Sequence, residues 1–281
     1  MQDKNILITG GTSGMGKATA IQLAKMGARL LLVSRNPNKG EAAVSEIIHT
    51  SGNQAVTFLA ADLSLVRDMR RIAEHIRQTF VRLDVLMHSA GGTFPRQRTL
   101  TDEGFELAFA IQYLARFVLT NELLDLLNAA PASQVLSIAG GTWGSKQVDL
   151  DDLQSEKSYG KFKSIAKSGA LNYLLTLGQL VRYPDVTFYN YGPGLVRTAT
   201  ITENQAVTRL FFNTVGRLFT RSPEQAANDM VTLLNGEYPA GFYEISLEQK
   251  NPPTAPEADA TLSEELWNYS EKLVANLATV A

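Results

Sequence analysis

Tyr159 and Lys163 stand four residues apart in Tyr159-Gly160-Lys161-Phe162-Lys163, a spacing that puts both on one face of a helix. A free phenol titrates at about pH 10. An ammonium beside it favours phenolate and brings the group toward working pH, as a proton donor and acceptor requires. The second stretch able to do chemistry is Asn5-Ile6-Leu7-Ile8-Thr9-Gly10-Gly11-Thr12-Ser13-Gly14-Met15-Gly16-Lys17. It reads as a buried strand, a tight turn and the first turn of a helix. Gly10, Gly14 and Gly16 remove Cβ atoms where a diphosphate would approach the backbone, with Thr12, Ser13 and Met15 between them. The helix that follows, from about Gly14 to Met26, aims its unpaired amides and positive dipole end at the anion.

Two phosphate motifs compete for this stretch. Gly11 to Lys17 fits the first seven positions of a P-loop, but Ala18 stands where a Ser or Thr hydroxyl would ligate magnesium. The other reading is a dinucleotide turn, Thr9-Gly10-x-x-x-Gly14-x-Gly16. A glycine-rich turn that holds no ligand is the plain alternative to both.

The elements that must position these residues alternate along the chain. Strands are expected at Ile6 to Ile8, Leu30 to Val33, Ala55 to Ala60, Leu83 to Met87, Gln134 to Ile138, Val186 to Tyr191 and Gly241 to Ser246. Helices lie between them: Lys39 to His49, one capped by Ser64 and running to about Phe80, and a long one capped by Thr101 and running to about Asn128. Ser222-Pro223-Glu224-Gln225 opens another with cap, proline and capping-box residues in place. The alternation predicts an α/β fold, a single Rossmann-type doubly wound parallel sheet in the order 3-2-1-4-5-6-7 with helices on both faces. The ligand then lies across the carboxyl ends of the strands.

Composition narrows the partners. The 281 residues, 44% hydrophobic, suffice for one sizeable core, so one domain over 1–281 is expected. The net charge of -2, with both signs mixed along the chain, gives neither a nucleic-acid footprint nor a polybasic membrane patch. A small molecule is the expected partner. Cysteine is absent, which excludes disulfides and thiolate metal sites. His49, His75 and His88 are scattered, so no metal site is expected. The first strand begins within five residues of Met1 and no apolar run reaches membrane-spanning length, so a cytoplasmic protein is expected.

Several segments together resemble the short-chain dehydrogenase/reductase superfamily, nearest its retinol-dehydrogenase-like branch. They are Thr9-Gly10-x-x-x-Gly14-x-Gly16, Asp62-Leu63-Ser64, Leu83-Asp84-Val85-Leu86 leading to Ala90-Gly91, Phe117-Val118-Leu119-Thr120, and Pro193-Gly194-x-Val196-x-Thr198. The resemblance implies a nicotinamide dinucleotide cofactor, with Asp62 meeting the adenine amine and Thr198 the carboxamide. Ser137-Ile138-Ala139-Gly140 looks like the family's Ser-x-Ala-Gly, which gives Ser137 the role of positioning the substrate oxygen. The implied reaction moves hydride between nicotinamide C4 and a carbonyl carbon while Tyr159 exchanges a proton with the oxygen. His88-Ser89 replaces the family's Asn-Asn, and Gln112 stands where a family asparagine would serve a proton relay. Family members often dimerise, so a homodimer is an expectation as well.

After strand two, Ser34 and Arg35 offer a hydroxyl and a guanidinium where an acidic residue would select NADH, so NADP(H) is expected. The lysine is less settled. Counting back from Pro193, the family interval reaches Lys167, in Ala166-Lys167-Ser168-Gly169-Ala170-Leu171; Lys163 would then occupy the tyrosine position and Tyr159 would be displaced by one helical turn. Tyr159 with Lys163 is preferred because that register keeps both groups. Trp143 reads equally as pocket lining or core cover. The apolar insertion at about 199–221 reads as a substrate lid, which would suit an apolar ligand, or as a packing helix. A last helix at about 262–278 would dock on the domain or on a partner subunit. The reading that results is an NADP(H)-dependent alcohol or carbonyl oxidoreductase. Its rivals are a dinucleotide-binding protein or non-redox enzyme on the same scaffold, and a P-loop phosphohydrolase.

Overall fold

A computed structural model describes residues 1–92, 95–139, 148–197, 220–236, 238–245, 250–251 and 257–278. The first half runs β1 (Asn5–Thr9), α1 (Gly14–Lys25), β2 (Arg29–Ser34), α2 (Pro37–Ser51), β3 (Val56–Ala60), α3 (Val66–Thr79) and β4 (Val85–His88). Next come α4 (Leu107–Phe109), a π-helical turn at Ala110–Leu114, α5 (Ala115–Glu122), α6 (Leu124–Asn128) and β5 (Gln134–Ile138). The chain then forms α7 (Lys161–Arg182), β6 (Thr187–Tyr191), α8 (Pro223–Asn235), β7 (Gly241–Ile245), β8 (Lys250–Asn251) and α9 (Glu257–Ala278).

The sheet order is β3-β2-β1-β4-β5-β6-β7-β8, with the first seven strands parallel. That is the expected order. The short antiparallel β8 was not anticipated, since its two residues carry no period. Alternate strand residues feed two cores: Leu7, Leu31, Leu86, Val135 and Phe188 face α3, α5 and α7, and Ile8, Leu32, Met87, Leu136 and Tyr189 face α1 and α8.

Two helix starts depart from the expectation. Ser64 does not cap α3; its amide donates to Asp62, and the first amides of α3, on Val66 and Arg67, donate instead to the carboxylate of Glu103. Thr101 does not open a long helix either, because its hydroxyl accepts from the Phe105 amide in a turn. The helix begins at Leu107, under the buried carboxylate of Glu106, and the run to Asn128 is broken by the π-turn and again at Leu123. By contrast, Ser222 and Gln225 form the expected capping box at the start of α8.

α9 begins earlier than expected and docks on its own domain. Leu266 and Trp267 are buried, Trp267 packs edge-on to Phe117 with centroids 5.0 Å apart, and Arg182 lies 4.1 Å above its ring. Ser263 donates to the Leu174 carbonyl at 2.7 Å, and Ser270 meets the Tyr113 hydroxyl at 2.7 Å. These contacts clamp α9 to α7 and to the π-turn.

Candidate active site

The carboxyl ends of β1, β2, β4, β5 and β6 gather most of the residues singled out from the sequence. Gly10 leaves β1 at φ 71° and donates to the Val33 carbonyl at 2.8 Å. A Cβ there would lie 2.7 Å from the Ala90 backbone, and one on Gly16 would lie 2.4 Å from the Gly10 carbonyl oxygen. Glycine is therefore required where β1, β4 and α1 converge. Ser13 precedes α1 in extended conformation without capping it, and no acidic residue occupies the first turn, so the amides beside Thr12, Gly14 and Met15 suit an anion. Lys17 is turned away, its ammonium 2.8 Å from both Glu46 oxygens. The P-loop reading thus lacks its lysine as well as its hydroxyl.

At the end of β2 the Ser34 hydroxyl is buried and finds no partner among the described residues, and Arg35 beside it is exposed with no ion pair among them. The turn after β3 is rigid: Asp62 accepts from Ser64 at 2.9 Å and donates its amide to Asp68 at 2.6 Å, with Leu63 buried beneath. An orphaned hydroxyl, a cation and a cradle that Cβ atoms would fill are what an adenosine diphosphate moiety needs. Beyond β4, Ala90 is half-buried and Gly91 exposed. Beyond β6, Pro193 and Val196 are buried and Gly194 takes φ 68°. Val196 forms a parallel bridge to Arg221. Thr198, Trp143, Gly140 and the insertion at 199–219 lie outside the described residues.

Ser137 is buried on β5, paired in register with His88 on one side and Asn190 on the other. The His88 ring meets Thr120 at 3.2 Å, and burial, then the nearby Arg116 charge, holds it well below its usual range and therefore neutral. Gln112 sits in the π-turn, where its carbonyl accepts from Asn172 and its side chain approaches Gly91, with its amide nitrogen buried and unpartnered among the described residues. Sequence reasoning missed Arg116 and Glu106. The signal was there: each is a charge inside an apolar run, Ala115-Arg116-Phe117-Val118 and Phe105-Glu106-Leu107.

The premise that Tyr159 and Lys163 share a helix face needs correction. Gly160, extended, is the cap residue of α7, so Tyr159 stands before the helix and Lys163 in its first turn. The Tyr159 hydroxyl donates to the Pro95 carbonyl at 2.8 Å, and burial first, then the Glu106 charge, raises its pKa against the opposing effect of Ser164. Lys163 is exposed. Lys167, one turn on, is buried and donates to the Asp152 and Leu153 carbonyls and to the Ser155 hydroxyl at 2.7, 3.2 and 2.6 Å. Burial lowers its pKa, with Lys163 pulling the same way and Asp152 and Glu106 opposing. A small pocket lined by Glu106, Ser155, Ser164, Lys167 and Ser168 lies at this point.

Among the described residues no group of acidic or histidine side chains could hold a metal, and no helix is long and apolar enough to cross a membrane.

Comparison with known proteins agrees with this layout. The short chain dehydrogenase family pattern matches residues 4–208. A Streptomyces sp. (strain C5) protein, provisionally named daunorubicin C-13 ketoreductase, is 32% identical over 279 residues, covering 98% of this chain and 94% of the relative. Human retinol dehydrogenase 13 is 32% identical over 282 residues, covering 96% and 84%. The L-sorbose reductase of Gluconobacter frateurii, solved with NADPH and L-sorbose, shares the fold with a TM-score of 0.68 at 22% identity, over 88% of this chain and 96% of its own. The chain belongs to the short-chain dehydrogenase/reductase family, in its retinol-dehydrogenase-like branch, and is an oxidoreductase of alcohols and carbonyls that uses a nicotinamide cofactor on a small-molecule substrate.

Proposed function

We propose that this enzyme uses NADP(H) in preference to NAD(H) and interconverts an alcohol and a carbonyl on an apolar small molecule in the cytoplasm. The observation that carries the cofactor preference is the pairing, at the end of β2, of an orphaned Ser34 hydroxyl with an exposed Arg35 that no carboxylate occupies among the described residues. A 2′-phosphate would gain a charge-assisted contact there of about 1.5 to 3 kcal/mol. Gly10, Thr12, Ser13, Gly14, Met15 and Gly16 would hold the diphosphate. Asp62 and Leu63 would flank the adenine, and Ala90, Gly91, Pro193, Gly194, Val196 and Thr198 the nicotinamide half.

The bound cofactor supplies or accepts the hydride. Ser137 would donate a hydrogen bond to the substrate oxygen, and Tyr159 would give it a proton or take one back, with Lys163 the cation that favours its phenolate. A second reading has one observation in its favour: Lys167, not Lys163, is the buried ammonium facing the pocket. In that register Lys163 replaces the phenol, and a dinucleotide-binding or non-redox role gains ground. The insertion at about 199–221, rich in Leu, Phe and Val, supports an apolar substrate. Association into a homodimer is part of the same family-based proposal.

Incubation with NADPH and a panel of apolar ketones tests the proposal. NADPH consumption supports it, and binding without consumption across the panel favours the second reading.

A further inference from the structure

Four strands carry polar residues at one level, at or next to their carboxyl ends. Thr9, His88, Ser137 and Asn190 are successive register partners across β1, β4, β5 and β6. Strand alternation turns the last three toward α5 and α7, where His88 meets Thr120, and Asn190 meets Thr176 and the Asn172 carbonyl. From α5, Arg116 enters this row, 2% exposed.

Its position follows from how the strands part. Past His88, the Ser89 and Ala90 amides turn to the carbonyl and hydroxyl of Thr9; past Ser137, the Ala139 amide turns to Tyr191. The Ile138 carbonyl is left facing the gap between β4 and β5, and Arg116 Nη2 donates to it at 2.7 Å. The rest of the guanidinium is unspent. Nε and Nη1 are buried without partners, and no carboxylate pairs with Arg116 among the described residues. Burial lowers its pKa to about 9, which still leaves it charged at neutral pH. An uncompensated buried cation is destabilising, and an apolar side chain would suit this core-facing site better. Its retention points to a use outside stability.

We propose that Arg116 is a positioning residue for the reaction. It fixes the Ile138 carbonyl next to Ser137, and it holds a buried positive charge at the carboxyl end of β5, near where negative charge develops on the substrate oxygen during carbonyl reduction. The assignment rests on the function proposed above, which gives Ser137 its role. Gln112, four residues earlier, carries a second unspent buried donor from the same helical run.

The experiment compares full-length wild type with Arg116→Met, Arg116→Lys and Arg116→Gln. It records the NADPH dissociation constant, Tm, and kcat and KM on a ketone that wild type reduces. The expected result for Arg116→Met is a kcat at least tenfold lower, NADPH affinity within twofold of wild type, and a Tm no lower than wild type, with Lys restoring part of kcat. A residue that only supports the fold would instead lower Tm together with kcat, and that pattern overturns the proposal. If Arg116→Met does not fold, the Lys and Gln variants decide: kcat for Lys must exceed that for Gln at least tenfold, and equal values overturn the assignment. Wild-type protein that binds NADPH but reduces no ketone overturns the oxidoreductase reading and this assignment with it. Wild-type turnover beside an unaffected Arg116→Met overturns this assignment alone.

Discussion

The Lys167 ammonium lies 2.6 Å from the Ser155 hydroxyl, and Ser155 is one of two non-glycine residues with positive φ among those described, at 54°. With the Asp152 and Leu153 carbonyls as further acceptors, this lysine ties α7 to a turn whose backbone would otherwise relax. Lys167→Met should cost about 1 to 3 kcal/mol, because it removes the donor to the buried Leu153 carbonyl and to the Ser155 hydroxyl. Lys163→Met, on an exposed position, should stay within about 0.5 kcal/mol of wild type. Urea denaturation checks both. In turnover the Tyr159 reading expects Lys163→Met to be inactive, and a loss confined to Lys167→Met would move the register by one turn.

The junction of β1, β4 and α1 yields a contrast between two glycines. Gly10 and Gly52 share nearly the same backbone, at φ 71° and 75°, but an added Cβ at Gly52 meets nothing within 4 Å. Gly52→Ala should therefore cost only the left-handed penalty of about 1 to 2 kcal/mol and leave cofactor binding intact. Gly10→Ala should cost more than that and abolish binding, since its methyl meets the Ala90 backbone. Thermal melts with and without NADPH read both effects.

Cofactor selection is tested at Arg35. Arg35→Ala should reduce the preference for NADPH over NADH about tenfold or more, through loss of the phosphate contact, with little change in NADH affinity. The gains in Tm with each cofactor measure it. Equal gains in the wild type would defeat the NADP(H) assignment.

Stability should fall as the pH drops below about 6.5, and His88 is the reason. Its folded pKa lies well below its unfolded value of 6.5, so below that pH the unfolded chain binds a proton that the folded protein refuses. The contribution is fully present above pH 6.5 and is lost downward through the window between the two pKa values, at up to about 1.4 kcal/mol per pH unit. In His88→Asn the slope between pH 6.5 and 5 should be shallower by up to one proton. An unchanged slope would show that the ring is not held neutral.

The sheet order could be read in advance because each buried strand is a short apolar run closed by polar or turn residues, as at Ile6-Leu7-Ile8 and Leu30-Leu31-Leu32-Val33. The glycine cradle was legible for a similar reason: close approach tolerates one residue type. What escaped was set by long-range contacts. Glu103 caps α3 from a distant loop, displacing Ser64, and Glu106 starts its helix where Thr101 had the better local chemistry. Tyr159 and Lys163 have helical spacing, but Gly160 stands between them and the helix begins only after it. Arg116 went unnoticed because its neighbours across the sheet are more than twenty residues away in the chain.

Calorimetric titration of the folded protein with NADPH, NADP⁺, NADH and NAD⁺ tests the central claim most directly. Saturable one-to-one binding, tighter for the phosphorylated pair and lost in Gly10→Ala, is the predicted result. No heat with any of the four would contradict the account.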